Sequence, residues 1–510
     1  MIAHLPVLAV LAPLFTAAAL LLVERRGIAA QRVLGWSGMA VLLAVAVGLV
    51  VQADHGAITM YLLGDWPVRL GIALVADRLS AMLVLTTTLL AIASLLYAST
   101  GWDKRALHFH ALFQLQLAGL NGAFLTGDLF NLFVFFEVML IASYGLLLSG
   151  GRGPRMRAGL HYVVFNITAS TLFLIALGLL YGLLGTLNMA EMALRVSQAE
   201  PANVALIRAA SGLLLVVFCA KAALLPLYLW LPNAYARAPA SVAALFAIMT
   251  KVGIYGVLRV YTLVFGSQAG LLADWAWEWL LPAGALTLVL ASLGALAAST
   301  MRMQVAYLVI ASAATLFIAF ALATPASIAA GLYYLPHSTF VTSGLFLVVD
   351  LIGQQRGRVG DHLDYAGPLR HAALLGLLFA VGAMSVAGLP PLSGFIGKLM
   401  LLDAVPAPSR AWVWAVVLVT SLMALGALAR SGSQLFWRAQ PWPGDVAAAP
   451  APQRLQVAAA VLLLGYGIAL VLGGGPVVAY TQATAAQLLQ PAAYIQAARD
   501  AAPQRRAPSP

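Results

Sequence analysis

Apolar residues along this chain come in long unbroken runs, and polar residues are confined to the short gaps between them. A helix needs about 20 apolar residues to cross the hydrocarbon of a bilayer. Candidate runs lie near 3–23, 33–51, 78–98, 109–126, 128–149, 159–184, 205–230, 241–265, 276–298, 303–323, 326–352, 371–402, 410–430 and 456–474. The runs do not alternate apolar with polar, and backbone in lipid must satisfy its own hydrogen bonds, so helices are expected and a β-barrel is not. The pattern therefore predicts an all-α polytopic membrane protein with about fourteen transmembrane helices. The first run resembles a secretory signal, but Arg25 and Arg26 follow it and do not precede it, so it is read as a membrane helix.

Composition agrees: 62% of the 510 residues are hydrophobic and only 9% are charged, where a soluble domain carries roughly 25%. The net charge of +11 forms no single stripe of the kind nucleic acid requires. It marks topology instead. With both termini on the outer side of a bacterial cytoplasmic membrane, the inner loops collect Arg25, Arg26, Arg32, Lys104, Arg105, Arg152, Arg155, Arg157, Arg237, Arg302, Arg356, Arg358, Arg370, Arg430, Arg438 and Arg454, as the positive-inside rule requires. The longest polar stretches are 52–77, 352–370, 431–455 and a tail after Gln490 that is expected to be disordered. Cys219 is the single cysteine, and no phosphate loop, Cys/His cluster or HExxH is present, so no cofactor or catalytic metal is expected. The chain reads as a non-enzyme whose driving energy comes from an ion gradient or an associated subunit.

The sequence holds four lysines, and only Lys104 lies in an obvious loop. Lys221, Lys251 and Lys398 fall within spans. Arginine keeps its proton at any relevant pH, whereas a lysine withdrawn from water can release one near neutrality. Lysine here is a residue for the interior and a candidate proton carrier. Arg259, further along the Lys251 span, is expected to snorkel to the headgroups. Glu137 is the glutamate set midway along a span, and a charge at that depth, costing roughly 2.5–3.5 kcal/mol, needs a partner or a hydrated path. The expected partner is Lys221. His337, beside Pro336 and well inside its span, is a candidate relay, because imidazole can pass a proton between its two nitrogens.

Two spans are interrupted by proline: one at Pro226, just after Lys221, and one at Pro390 and Pro391, shortly before Lys398. Proline frees backbone carbonyls at membrane depth, which is tolerated only inside protein or along a hydrated cavity. The two interrupted spans run in opposite directions on the topology above. Such a pair is the expected sign of inverted repeats with a site at each break.

The runs GDLFNLFVFFEVMLIASY around Glu137, KAALLPLYLWLPNAYARAPASVAALFAIMTKVG from Lys221 through Lys251, and GLPPLSGFIGKL around Lys398 resemble the proton-translocating antiporter-like family. That family comprises the large membrane-arm subunits of respiratory complex I and the A-type and D-type subunits of Mrp multisubunit cation/proton antiporters. The likeness is greatest to the D-type branch; it spans about 80–350 and again about 385–400. The resemblance implies three helices over 1–107, inverted five-helix repeats over 108–265 and 276–430, and a last helix with tail over 431–510. It also implies that Glu137, Lys221, Lys251, His337 and Lys398 match the family's buried charges in order. The implied activity is a proton relay driving export of Na⁺ or another monovalent cation, within an assembly of other membrane subunits. One alternative is a proton-pumping complex I subunit, although one such subunit carries glutamate where Lys398 stands. The other is a scaffold that conducts nothing.

Overall fold

In lipid every amide must find its partner within its own segment, so continuously apolar runs fold as helices. The computed structural model describes residues 4–67, 71–151, 153–364, 369, 371–438 and 451–501. Its helices are α1 (Leu5–Val23), α2 (Ile28–Asp54), α3 (Arg78–Ala98), α4 (Phe109–Leu125), α5 (Leu129–Leu148), α6 (Pro154–Leu184), α7 (Met189–Ser197), α8 (Pro201–Lys221), α9 (Trp230–Arg237), α10 (Ala240–Phe246), α11 (Met249–Leu263), α12 (Trp277–Ala297), α13 (Met301–Ala321), α14 (Pro325–Gln355), α15 (Ala372–Ala387), α16 (Ser393–Asp403), α17 (Ala407–Gly432), α18 (Arg454–Leu472), α19 (Gly474–Leu488) and α20 (Pro491–Asp500). In the polar 52–77 stretch, β1 (Thr59–Leu62) pairs antiparallel with β2 (Ala73–Ala76), with Thr59 opposite Ala76.

By length and composition, 12 helices among the described residues can cross a membrane. The expected count of fourteen differs from this at identifiable places. The run at 109–126 yields only the 17 residues of α4. The run at 371–402 is divided into α15, with 16 residues, and α16, with 11. The tail after Gln490 is also not disordered as expected: Pro491–Asp500 is helical, and Tyr494 is buried. Residues 502–510, residues 439–450 of the 431–455 loop, Arg152, Arg370 and the side chain of Arg358 lie outside the described residues.

One local construction occurs twice. Asp128 caps α5 by accepting from Asn131 N at 2.9 Å, and Thr300 caps α13 by accepting from Met303 N at 3.3 Å. The next helices, α6 and α14, have 31 residues each and begin with proline in the first turn. The chain then returns to the start of the unit. Leu129 N donates to Leu187 O and Met189 N to Gly127 O, at 2.9 and 3.0 Å; Met301 N donates to Asp361 O and Leu363 N to Ser299 O, both at 2.9 Å.

Each unit then contains an interrupted helix, at Pro226 between α8 and α9, and at Pro390 and Pro391 between α15 and α16. The Leu225–Pro226 and Pro390–Pro391 peptide bonds are cis. Backbone groups freed by the breaks have partners, as burial demands. Trp230 Nε1 donates to Ala220 O at 3.1 Å, and Leu225 N donates to Thr287 Oγ1 of α12 at 3.0 Å. At the second break Lys398 Nζ donates to the carbonyls of Val386 and Ala387 at 3.0 and 3.1 Å.

Candidate functional site

Lys221 is the last residue of α8, and its side chain is buried. Its Nζ donates to Ser170 Oγ at 3.1 Å, and to the backbone oxygen and Oδ1 of Asn166 at 3.3 and 3.4 Å, both residues lying on α6. Ser170 Oγ in turn donates to Glu137 Oε1 on α5. Glu137 and its expected partner Lys221 are therefore joined through Ser170. A hydroxyl both donates and accepts, so Ser170 connects ammonium to carboxylate in one continuous line of hydrogen bonds. Glu137 is only partly buried, and Val134 and Ile141, one turn to either side of it, are exposed. It therefore faces the edge of the chain, while Lys221 faces inward.

Lys251, on α11, is fully buried, and its Nζ donates to Ser312 Oγ of α13 at 3.1 Å. The helix carrying it comes close to the end of α8. A Cβ on Gly253 would stand 2.7 Å from Ala222 N and 2.8 Å from Phe218 O, so only glycine allows this approach. Among the described residues no side-chain hydrogen bond joins Lys221 to Lys251, so the line from Glu137 ends at Lys221 and a second begins at Lys251.

Ser312 opens onto a cavity of about 30 Å³ that is also lined by His337, Lys398, Ser338, Thr342 and Ser421. That volume holds about two water molecules, and its walls offer them hydroxyl partners. Lys398 Nζ donates to Ser421 Oγ of α17 at 2.9 Å as well as to the two carbonyls at the break. His337 is buried, and its Nδ1 lies 2.8 Å from Ser393 Oγ. A Cβ on Gly394 would stand 2.9 Å from His337 Nε2 and would overlap Ser385 O. The second break is thus fitted closely around this histidine. Lys251 through Ser312, His337 and Lys398 converge on one small cavity.

Arg259 does not snorkel. It is buried, and its guanidinium forms an ion pair with Asp77, the N-cap of α3, at 2.6 Å. The rings of Tyr255 and Tyr494 both lie 5.5 Å from it, so α20 closes over this pair. A second buried carboxylate, Asp103, lies in the loop between α3 and α4. Burial alone would raise it, but His110 at 3.2 Å and Arg32 at 2.7 Å hold it down to about 2. Both pairs clasp the N-terminal helices to the rest of the chain.

The serines were not expected from sequence. Ser170, Ser312 and Ser421 each meet a lysine, but a serine in a membrane helix also serves as a small packing residue, and nothing in its local sequence distinguishes the roles. Equivalence between the two units would have been a clue for α6 and α14. Each begins with proline, at Pro154 and Pro325, and counting from these, Asn166 and His337 occupy the same position.

Known proteins are similar to this chain in sequence and fold. The family described as NADH:quinone oxidoreductase/Mrp antiporter, TM, matches residues 126–424, which contain every residue of the site. A Rhizobium meliloti protein described as the D-type subunit of a probable K(+)/H(+) antiporter is 40% identical, over 96% of each chain. A Bacillus subtilis protein described as the D-type subunit of a Na(+)/H(+) antiporter is 36% identical, over 96% of this chain and 98% of that one. Among solved structures, a chain of the Mrp complex from Dietzia sp. DQ12-45-1b superposes with a TM-score of 0.87 and 29% identity, covering 98% of this chain and 99% of that one. The chain belongs to the NADH:quinone oxidoreductase/Mrp antiporter transmembrane family.

Proposed function

We propose that this chain is the D-type component of a multisubunit monovalent cation/proton antiporter, a transporter part that moves protons through the membrane to drive cation export. The observation that carries this reading is the placement of three lysines, a histidine and a carboxylate on hydroxyl-bridged lines within the helix bundle. Glu137 receives or gives a proton at the edge of the chain, where a neighbouring membrane subunit would cover it. Ser170 links it to Lys221, and the proton passes onward to Lys251, His337 and Lys398. The Glu137 carboxylate balances the Lys221 ammonium through Ser170. Separating the two leaves a charge uncompensated at depth, and that imbalance is removed by passing the proton on.

The twice-used construction supports reading 108–265 and 276–430 as inverted repeats, with the helix breaks at Pro226 and at Pro390 and Pro391 as paired hinges of the path. The arginine-rich loops support both termini outside, and the bacterial relatives support a bacterial cytoplasmic membrane. Relatives named for Na⁺ and for K⁺ are both similar over nearly the whole chain, so the cation is monovalent and either ion is compatible.

Glu137→Ala and Lys221→Ala test the reading in complexes whose assembly is verified separately. Both are expected to abolish cation-dependent proton exchange in everted vesicles while leaving the complex intact. Wild-type exchange would overturn the relay, and loss of assembly alone would indicate a scaffold. The family also contains NADH:quinone oxidoreductase subunits, so a redox-driven proton pump is the second reading. Iron–sulfur and quinone subunits in the purified complex would favour it, whereas the full-length likeness to D-type antiporter subunits favours the antiporter.

A further inference from the structure

A cavity of about 460 Å³ lies away from the buried lysines, on the face formed by the loop before α4 and the ends of α6, α10, α13, α14 and α18. Its walls include Trp102, Arg105, Arg155, Ser241, Arg302 and Asp350. Three guanidiniums face one carboxylate, and that carboxylate is already engaged: Arg302 and Gln354 donate to Asp350 at 2.5 and 2.7 Å, and Tyr97 OH at 2.5 Å. Arg105 is exposed and has no side-chain hydrogen bond among the described residues. Arg155 lies over the Trp102 ring at 5.2 Å and donates to Arg237 O at 2.9 Å.

Buried polar atoms lacking partners gather on the same wall. Trp102 Nε1, Ser241 Oγ and Arg302 Nε are all enclosed without a hydrogen bond, and Ser241 as a whole is 2% exposed. Two of these atoms can only donate, and the hydroxyl is able to. Buried donors left unmet cost about 1–3 kcal/mol each; these three sit within a wall of surplus positive charge, which attracts a ligand rich in acceptor oxygens. Guanidinium forks and indole N–H groups suit a tetrahedral oxyanion.

We propose that this cavity binds a phosphate group, carried either by the headgroup of an acidic phospholipid or by free inorganic phosphate. The site is separate from the proton relay and does not depend on it.

The test uses the full-length chain in phosphatidylcholine nanodiscs. One arm measures radiolabelled inorganic phosphate by equilibrium dialysis. The other adds a few mole per cent of phosphatidylglycerol and counts retained lipid by native mass spectrometry. Saturable binding in one arm is expected, and which arm shows it identifies the source. The Arg105→Gln/Ser241→Ala variant should weaken that binding at least about tenfold, as loss of a charge-assisted hydrogen bond together with a hydroxyl donor implies. Arg105→Gln alone, at an exposed residue, serves if the double variant misfolds. Arg499→Gln, on α20, should bind as wild type. Absence of binding in both arms, leaving water as the occupant, would overturn the proposal, as would equal binding by the wild type and the Arg105→Gln variants.

Discussion

Ser170 commits its hydroxyl in two directions, accepting from Lys221 and donating to Glu137, so the pair communicates through one atom. Replacing it with alanine removes the bridge and little volume. Ser170→Ala should lower cation-dependent proton exchange about tenfold, equivalent to ~1.4 kcal/mol on the barrier, while Ser170→Thr keeps most of it. Unchanged exchange in Ser170→Ala would show that protons bypass the hydroxyl. Arg259 and Asp77 illustrate the opposite use of buried charge. Two opposite charges in contact at 2.6 Å form a static clasp, and removing one partner strands the other. Arg259→Leu should destabilise the protein by roughly 3–5 kcal/mol, with the Asp77→Leu/Arg259→Leu double variant recovering part of that. Thermal midpoints in detergent measure both, and a double variant as unstable as the sum of the singles would contradict the clasp.

The second helix break is built around close approaches. A Cβ on Gly394 would overlap the Ser385 carbonyl and stand 2.9 Å from His337 Nε2, so Gly394→Ala must displace α16. It should cost about 1–3 kcal/mol in stability and reduce exchange further than stability alone explains. A variant with wild-type midpoint and exchange would mean the break is slack. The loop between α3 and α4 gives a pH test. Asp103, held down to about 2, contributes stability above its unfolded value of about 3.9, and that contribution disappears as pH falls through the folded value. The wild-type midpoint should therefore fall between about pH 4 and pH 2. Asp103→Asn should start lower at neutral pH and lack this step. Parallel curves would sink the assignment.

What sequence conveys at this scale follows from whether a feature is local. Both breaks were legible, because proline acts on its own turn, and so was the burial of Lys221 and Lys251, because each sits far from the ends of an apolar run. The partner of Arg259 was not legible, since Asp77 is 182 residues away. Nor was α20: its residues carry no apolar stripe long enough to announce it, and its place depends on Tyr494 meeting Arg259.

Across the whole molecule, loops expected on one side of the membrane do come together. Arg105, Arg155, Arg302 and Gln453 line one cavity, although they belong to segments spread from before α4 to the start of α18. Their side chains meet at one end of the bundle. The expected fourteen spans exceed the 12 full-length crossings among the described residues, because α4 and the α15–α16 pair are too short or too broken to count as full crossings. Interrupted membrane helices are a recurring feature of transporter folds. The central claim is that lysine works here as a proton carrier and not merely as a charge. Arginine can replace the charge of Lys221 but holds its proton. The most direct measurement is cation-dependent proton exchange in everted vesicles by intact complexes bearing Lys221→Arg. Exchange should fall at least about tenfold, close to the level of Lys221→Ala; exchange at the wild-type rate would contradict the relay.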